Sequence, residues 1–428
     1  MSGFVLTKDQ QDLKRLAADF GKKVMRPAAK EYDLKGETPL DIYRQAVKIG
    51  FTEVALPKEF GGLGLGCTTQ CVLTEELSRW EAGIANALGA TSLACKPILI
   101  AGNDAQKKYA VELVQAGDML AFGLTEPDAG SDAAALKTTA VECEGGYILN
   151  GRKCFITNAP YAKLFVIFAK TQKGIGSKGI SAFIVEGDRP GVSTGRHEDK
   201  MGLRLSAAGD VILENVFVPK ENLLGEPGQG FKIAMKTLDA SRVEVGAAAV
   251  GIAQSAIDYS VDYAKGRICF GAPIAKLQAI QFMLADMQIQ TQAARSLVYG
   301  AAEMVDNNIR PYTEICAAAK CFAGDVAMKV TTDAVQIHSG YPCNHGNLPC
   351  RYVMDRLKGK KVQRDQQGLY DSCQAGKHAA GCRFVPWLAS GQWCRSRRCT
   401  VWCTLWYWRA MVWRRRSVIL CVICTGHV

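Results

Sequence analysis

The sequence predicts an α+β protein: a helical N-terminal domain, a middle antiparallel β-barrel or sandwich, and a C-terminal helical bundle. Three observations carry this. Apolar residues recur with a helical period through 1–120, with a period of two through 121–220, and with a helical period again in long Ala-rich runs from about Gly230. The corresponding domains are 1–120, 121–220 and 228–341, the last a four-helix bundle cut short, followed by a tail over 342–428. A chain of 428 residues is long enough for more than one core.

The elements follow in order. Thr7 and Gln10 form a capping-box pattern ahead of Leu13, Leu16, Ala17, Phe20 and Val24 on one face, and Pro27 is expected to interrupt that helix. Helical periodicity returns at 41–49, 69–80 and 104–115. The run Gly61-Gly62-Leu63-Gly64-Leu65-Gly66 resembles a dinucleotide fingerprint but lacks the third glycine at the right offset and any βαβ surroundings, so it reads as a loop. Short alternating runs at 138–144, 147–152, 164–170, 180–185 and 210–218 predict strands, with Gly145-Gly146 joining the first two as a hairpin. The runs 231–265, 277–306 and 312–338 predict long antiparallel helices.

Charge and cysteine content divide at the same place. The net charge is +11, yet residues 1–342 hold 37 basic and 38 acidic residues; the excess lies after Tyr341. The basic character is therefore no sign that the folded body binds nucleic acid. Eight cysteines without regular spacing lie in 1–342, as expected of reduced thiols inside a cell. The start lacks a secretory or transit pattern, and no run of 18 uninterrupted apolar residues occurs, so the expectation is no membrane and a cytoplasmic protein, or the mitochondrial matrix after removal of an import signal. Past Tyr341, six of the seven tryptophans fall between Trp387 and Trp413 amid arginine clusters, and no period persists. Cys421-x-x-Cys424 and the loose set Cys394, Cys399, Cys403 lack metal-ligand spacing, so no metal is expected. An Arg/Trp stripe could touch RNA or lipid headgroups, but the segment reads as translation out of frame.

The segment most able to carry chemistry is Phe122-Gly-Leu-Thr-Glu-Pro-Asp-Ala-Gly-Ser-Asp132. Pro127 fixes one backbone angle, Gly130 permits close approach to a ligand, and Ser131 offers a hydroxyl and an N–H at the tip. Alone it is a polar surface turn. It is followed by Phe155-Ile-Thr-Asn158, Glu198-Asp-Lys-Met-Gly202, Leu238-Asp-Ala-Ser-Arg242, Arg267-x-x-Phe-Gly271 and Gln336-Ile-His-Ser-Gly340. In that order and spacing, residues from about Phe4 to Tyr341 resemble the acyl-CoA dehydrogenase flavoproteins, most closely the short- and medium-chain, butyryl-CoA dehydrogenase-like branch.

The resemblance implies the three-domain acyl-CoA dehydrogenase fold, FAD as cofactor, and oxidation of a short- or medium-chain acyl-CoA to trans-2-enoyl-CoA. It implies electron-transfer flavoprotein as acceptor and a homodimer or homotetramer. Phe122, Leu124 and Thr125 match the flavin-contacting strand. Ser131 matches a residue touching flavin phosphate or the CoA arm. Phe155, Ile156 and Thr157 match the segment packed on the isoalloxazine, although the first two read alone as ordinary core. Asp239 and Arg242 match positions meeting the CoA nucleotide, a solvated salt bridge being the alternative. Arg267, Phe270, Leu277 and Gln278 match the segment reaching the adenine half of FAD in a neighbouring subunit, which Gln336 to Gly340 complete; His338 reads as structural.

The pattern departs from the family at the base. The position of the branch's catalytic Glu, counted from Gln336, is Gln363, and no Glu follows Glu314; Leu369-Tyr370-Asp371 comes late and carries a shorter acid. The alternative base position of branched- and long-chain relatives is Ser241, with Glu244 one turn further, where packing or a salt bridge is the expected role. No catalytic residue is therefore assigned. An enoyl- or acryloyl-CoA reductase, a catalytically inactive flavin- or CoA-binding protein, and a nucleic-acid- or membrane-associated protein using its tail are the rival readings.

Overall fold

The computed structural model describes residues 5–339. Gly340, Gln363, Asp371 and the tail cysteines and tryptophans lie outside the described residues.

The N-terminal part holds α1 (Lys8–Phe20), α2 (Arg26–Lys35), α3 (Leu40–Lys48), α4 (Gly66–Trp80), α5 (Ala82–Ala101) and α6 (Asp104–Ala116). The Thr7/Gln10 capping box forms as expected. Pro27 does not end the first helix. A π turn over Gly21–Met25, closed by the Arg26 N–H on the Gly21 carbonyl, absorbs an extra residue. Pro27 thus falls in the first turn of α2, where no N–H is required. Residues 61–65 are a loop before α4, which takes Gly66 as its first residue. That helix has Leu65 at its N-cap and no local side-chain cap. Asp306 supplies one, accepting from the N–H groups of Cys67 (2.5 Å) and Thr68 (2.8 Å).

Helix α5 shows no amphipathic period because most of its sides are buried. It is the one described helix long and apolar enough to cross a membrane by length and composition. Here it serves two cores: Ile84, Ala85 and Leu88 pack with α1 to α4, and Ala94, Cys95 and Ile98 pack with the sheet.

The middle part contains β1 (Met119–Gly123), β2 (Thr139–Cys143), β3 (Gly146–Thr157), β4 (Ala162–Lys170), β5 (Ile180–Glu186), β6 (Val192–Thr194), β7 (Ala208–Pro219) and β8 (Leu223–Leu224). They form one sheet in the order β6-β7-β3-β2-β4-β5-β8, with β1 beside β4. The β2–β3 hairpin turns at Gly145, φ +77°. The sheet is not wholly antiparallel: β1 and β4 run parallel, with Phe122 opposite Val166. A period of two encodes which face is buried, not the direction of the neighbour. Alternation along β4 is strict: Leu164, Val166 and Phe168 face the helices, while Phe165, Ile167 and Ala169 fill a second core with β3, β5 and β7.

The C-terminal part holds α7 (Gly230–Gly266), a hairpin of β9 (Ile268–Cys269) and β10 (Ala272–Pro273), α8 (Gln278–Asp306) and α9 (Thr313–His338). Its core includes Cys71 and Val72 of α4, so a helix of the N-terminal part packs with the three long helices. Glu75 of α4 adds a polar tie, accepting from Arg295 Nε (2.9 Å) and the Tyr299 hydroxyl (2.7 Å).

Candidate active site

β1 delivers the chain into the 124–138 loop. Pro127 occupies the second position of a tight turn in which Glu126 and Ala129 exchange backbone hydrogen bonds (3.1 and 3.2 Å). Beyond it the loop is open: a side-chain carbon on Gly130 would meet nothing within 4 Å, and Ser131 is exposed.

This loop is bolted to β3 from beneath. Lys153 is completely buried, and its ammonium donates to Glu126 Oε1 (2.8 Å), the Phe168 carbonyl (2.6 Å) and the Leu124 carbonyl (3.4 Å). Glu126 also accepts from the Lys137 N–H (2.5 Å) and from the Thr138 N–H and hydroxyl (3.0 and 2.5 Å). Burial alone would raise the Glu126 pKa, but Lys153 and these donors hold it below the usual carboxylate range. Burial pushes Lys153 down to about 8, so the pair is ionised at neutral pH.

Immediately after Lys153 the strand bulges. Lys153 pairs with Val211 and Ile156 with Gly209, so Cys154 and Phe155 together face the single residue Asp210. Phe155 takes φ +58°, a conformation costing about 1–3 kcal/mol for a residue of this kind, and the residue is 56% exposed. The Cys154 N–H donates to the Thr125 carbonyl (2.9 Å), which joins the loop to the bulge. Ile156 is buried, and Asn158, also at positive φ, donates from its side chain to the Ala87 carbonyl (2.9 Å). The structure therefore brings Leu124 and Thr125 beside Phe155, Ile156 and Thr157. Phe122 lies at the base of the loop with its ring 5.1 Å from that of Phe168. Among the described residues, the hydroxyls of Thr125, Ser131 and Thr157 form no side-chain hydrogen bond with protein. An exposed aromatic residue on a bulge tied to a loop that carries unbonded hydroxyls suits a planar, polar-edged ring system.

The first half of α7 borders this region: Leu238 packs in the same core as Phe122 and Leu124. Asp239 accepts from Arg242 one turn along and from the Thr313 hydroxyl (2.9 Å). Arg242 keeps 23% of its side chain accessible. Glu244 points to α5, where Lys96 donates to it, and both are largely buried. Burial lowers the Lys96 pKa, but Glu244 more than offsets this and leaves it raised. Neither Lys153 nor Lys96 was nominated from the sequence. Lys153 is in phase with the buried Tyr147 and Leu149 of β3, so alternation points it inward, but it stands just past the alternating run 147–152 and its residue type reads as surface.

A second group of nominated residues gathers at the other end of α7. Arg267 donates its N–H to Tyr263 (2.8 Å), and the His338 ring lies 4.5 Å from the Tyr263 ring, bringing the end of α9 and Gln336 to the hairpin. Phe270 at the hairpin tip is 96% exposed at φ +54°, and Leu277 caps α8 ahead of Gln278. From Arg242 to Gly266 the helix rises about 36 Å at 1.5 Å per residue. The two groups do not meet within one chain. Among the described residues, no three His, Cys, Asp or Glu side chains converge as a metal site.

Comparison with known proteins completes the picture. Family models for the N-terminal, middle and C-terminal domains of acyl-CoA dehydrogenase match residues 7–118, 121–216 and 228–358. The short-chain-specific acyl-CoA dehydrogenase of Megasphaera elsdenii is 45% identical over 82% of this chain and 93% of its own. The acryloyl-CoA reductase (NADH) of Anaerotignum propionicum is 44% identical over 79% of this chain and 86% of its own. The solved butyryl-CoA dehydrogenase of M. elsdenii superposes with a TM-score of 0.81 at 41% identity, covering 87% of this chain and 99% of that one. The chain belongs to the acyl-CoA dehydrogenase family of oxidoreductases, and it has that family's three-domain fold.

Proposed function

We propose that this family member uses FAD to oxidise a short- or medium-chain acyl-CoA thioester to the trans-2-enoyl-CoA, with electron-transfer flavoprotein as acceptor. The observation that carries the reading is the joined loop and bulge: the Cys154 N–H bonded to the Thr125 carbonyl ties the 124–138 loop to the bulge that presents the exposed Phe155. FAD, when bound, supplies an acceptor for the β-hydrogen as hydride. The protein's part is to hold the ring system with Phe155 and Ile156, to hydrogen-bond its edge with Thr125 and Thr157, and to keep water from the α–β bond. Arg242 suits a phosphate of the CoA nucleotide once it exchanges Asp239 for that partner.

The proton step is the weak point of this chain. No Glu follows Glu314, and the nearby Glu244 carboxylate is committed to Lys96. General-base assistance is worth roughly 10²–10⁴-fold. The protein is expected to bind FAD and acyl-CoA and to reduce its flavin slowly. FAD titration of the apoprotein tests the cofactor; failure to take up flavin defeats the reading. Stopped-flow bleaching with butyryl-CoA under anaerobic conditions tests the base, and fast bleaching would show that one exists.

A reductase acting in the opposite direction is the second reading, favoured by the acryloyl-CoA reductase at 44% identity. Faster turnover of acryloyl-CoA than of propionyl-CoA would select it. The separation of the two residue groups along α7 supports at least a dimer, with Arg267, Phe270, Leu277, Gln278 and Gln336 serving a neighbour's FAD; a tetramer is the proposed assembly. Phe270→Asp should then lower both oligomer mass and FAD content. Because both relatives reported are bacterial, the cytoplasm is the proposed location, and the mitochondrial matrix has no support.

A further inference from the structure

We propose that the buried Lys153–Glu126 pair is a positioning element for the flavin, clamping Thr125 and the Phe155 bulge in one fixed relation. This rests on the FAD reading above. Three of the oxygens around this pair's contacts belong to the segments that would grip the ring system: the Leu124 carbonyl, the Glu126 carboxylate and the Thr125 carbonyl bonded to Cys154. The fourth, the Phe168 carbonyl, ties them to β4 at the centre of the sheet. Lys153 precedes the strained Phe155 by only two residues. A phenylalanine at φ +58° relaxes to negative φ unless its flanks are held, and relaxation swings the ring out of the orientation it now presents. Asn158 anchors the far flank through the Ala87 carbonyl; Lys153 anchors the near one. The loop's other ion pair, Lys137–Asp128, is exposed and holds nothing beneath it. Removing the clamp therefore disturbs the fit of the ring system and leaves the sheet in place.

The test uses the full-length chain with Lys153→Met, Glu126→Gln, Phe155→Ala and the Lys153→Met/Phe155→Ala double variant. Glu126→Gln keeps an oxygen for the Lys137 and Thr138 N–H groups, so it carries the test if Lys153→Met does not fold. FAD dissociation constants come from titrating apoprotein, and flavin orientation from visible circular dichroism. Both clamp variants should weaken FAD tenfold or more and alter the visible dichroism, with far-ultraviolet dichroism unchanged. Because Lys153 acts through Phe155, the double variant should lose far less than the product of the single losses. Folded clamp variants with wild-type FAD affinity and dichroism, or strictly multiplicative losses, would overturn the proposal. Wild-type protein that takes up no FAD would instead defeat the cofactor reading on which it stands.

Discussion

Two buried lysines meet buried glutamates in this protein, and the pairs are built differently. Lys153 and Glu126 lie within the middle part, and between them they bind three backbone carbonyls or amides of a loop besides each other. Lys96 and Glu244 join the side chains of α5 and α7, and Lys96 keeps 13% of its side chain accessible. The first pair holds irregular backbone in place; the second holds two helices that would be helical without it. A buried ion pair contributes little by itself, since desolvation offsets attraction. Its importance depends on what else its spare donors and acceptors satisfy.

That contrast yields an ordered set of outcomes. Lys153→Met should cost the most, about 3–5 kcal/mol in urea unfolding, because it strands the Glu126 carboxylate and frees two carbonyls. Lys96→Met should cost about 1–3 kcal/mol, and pairing it with Glu244→Leu should restore most of the loss. Equal losses for the two lysines would break the distinction. Glu244→Gln should leave the rate of flavin bleaching unchanged, whereas abolished bleaching would make Glu244 the base.

Alkaline pH should separate the pairs by sign. Lys153 has a folded pKa of about 8, below its usual 10.5, so between these values the unfolded chain binds more protons and its contribution to stability rises with pH. Lys96 is raised, so its stabilisation is complete below the usual lysine value and is lost as pH rises through the folded one. Difference curves for the two Met variants against wild type should therefore slope in opposite directions. On the acid side, Glu126 contributes stability above its unfolded value that disappears as pH falls through the depressed folded value, and Glu126→Gln should remove that limb. The smallest effect belongs to the exposed Lys137–Asp128 pair in the same loop, where Lys137→Ala should not measurably move the urea midpoint.

Much of the fold was legible where the signal is local. The capping box at Thr7, the hairpin at Gly145 and the three long helices all stand where periodicity and turn chemistry put them, and the glycine run is a loop up to Leu65, with Gly66 opening α4. Helix α5 was not legible, because a helix buried on most sides has no polar stripe to mark its period. The interruption expected at Pro27 failed because a π turn shifts the proline by one position into a helix start. For the site, the loop and the bulge are recognisable as motifs. Their hydrogen bond from Cys154 to Thr125, and the lysine beneath them, are not.

By itself the sequence determined the kind of those elements that carry a clear period, the faces they bury and the chemical character of the loops between them. These follow from residue spacing, capping and backbone preference within a turn or two of chain. Only the tertiary structure decided that β1 lies parallel to β4, and that Asp306 caps a helix beginning 240 positions earlier. Only it decided that Glu126 and Lys153 are partners and that Glu244 is spent on Lys96. Pairing across such distances depends on which surfaces meet when cores are filled, and one strand bulge is enough to turn Phe155 outward and Ile156 to the interior.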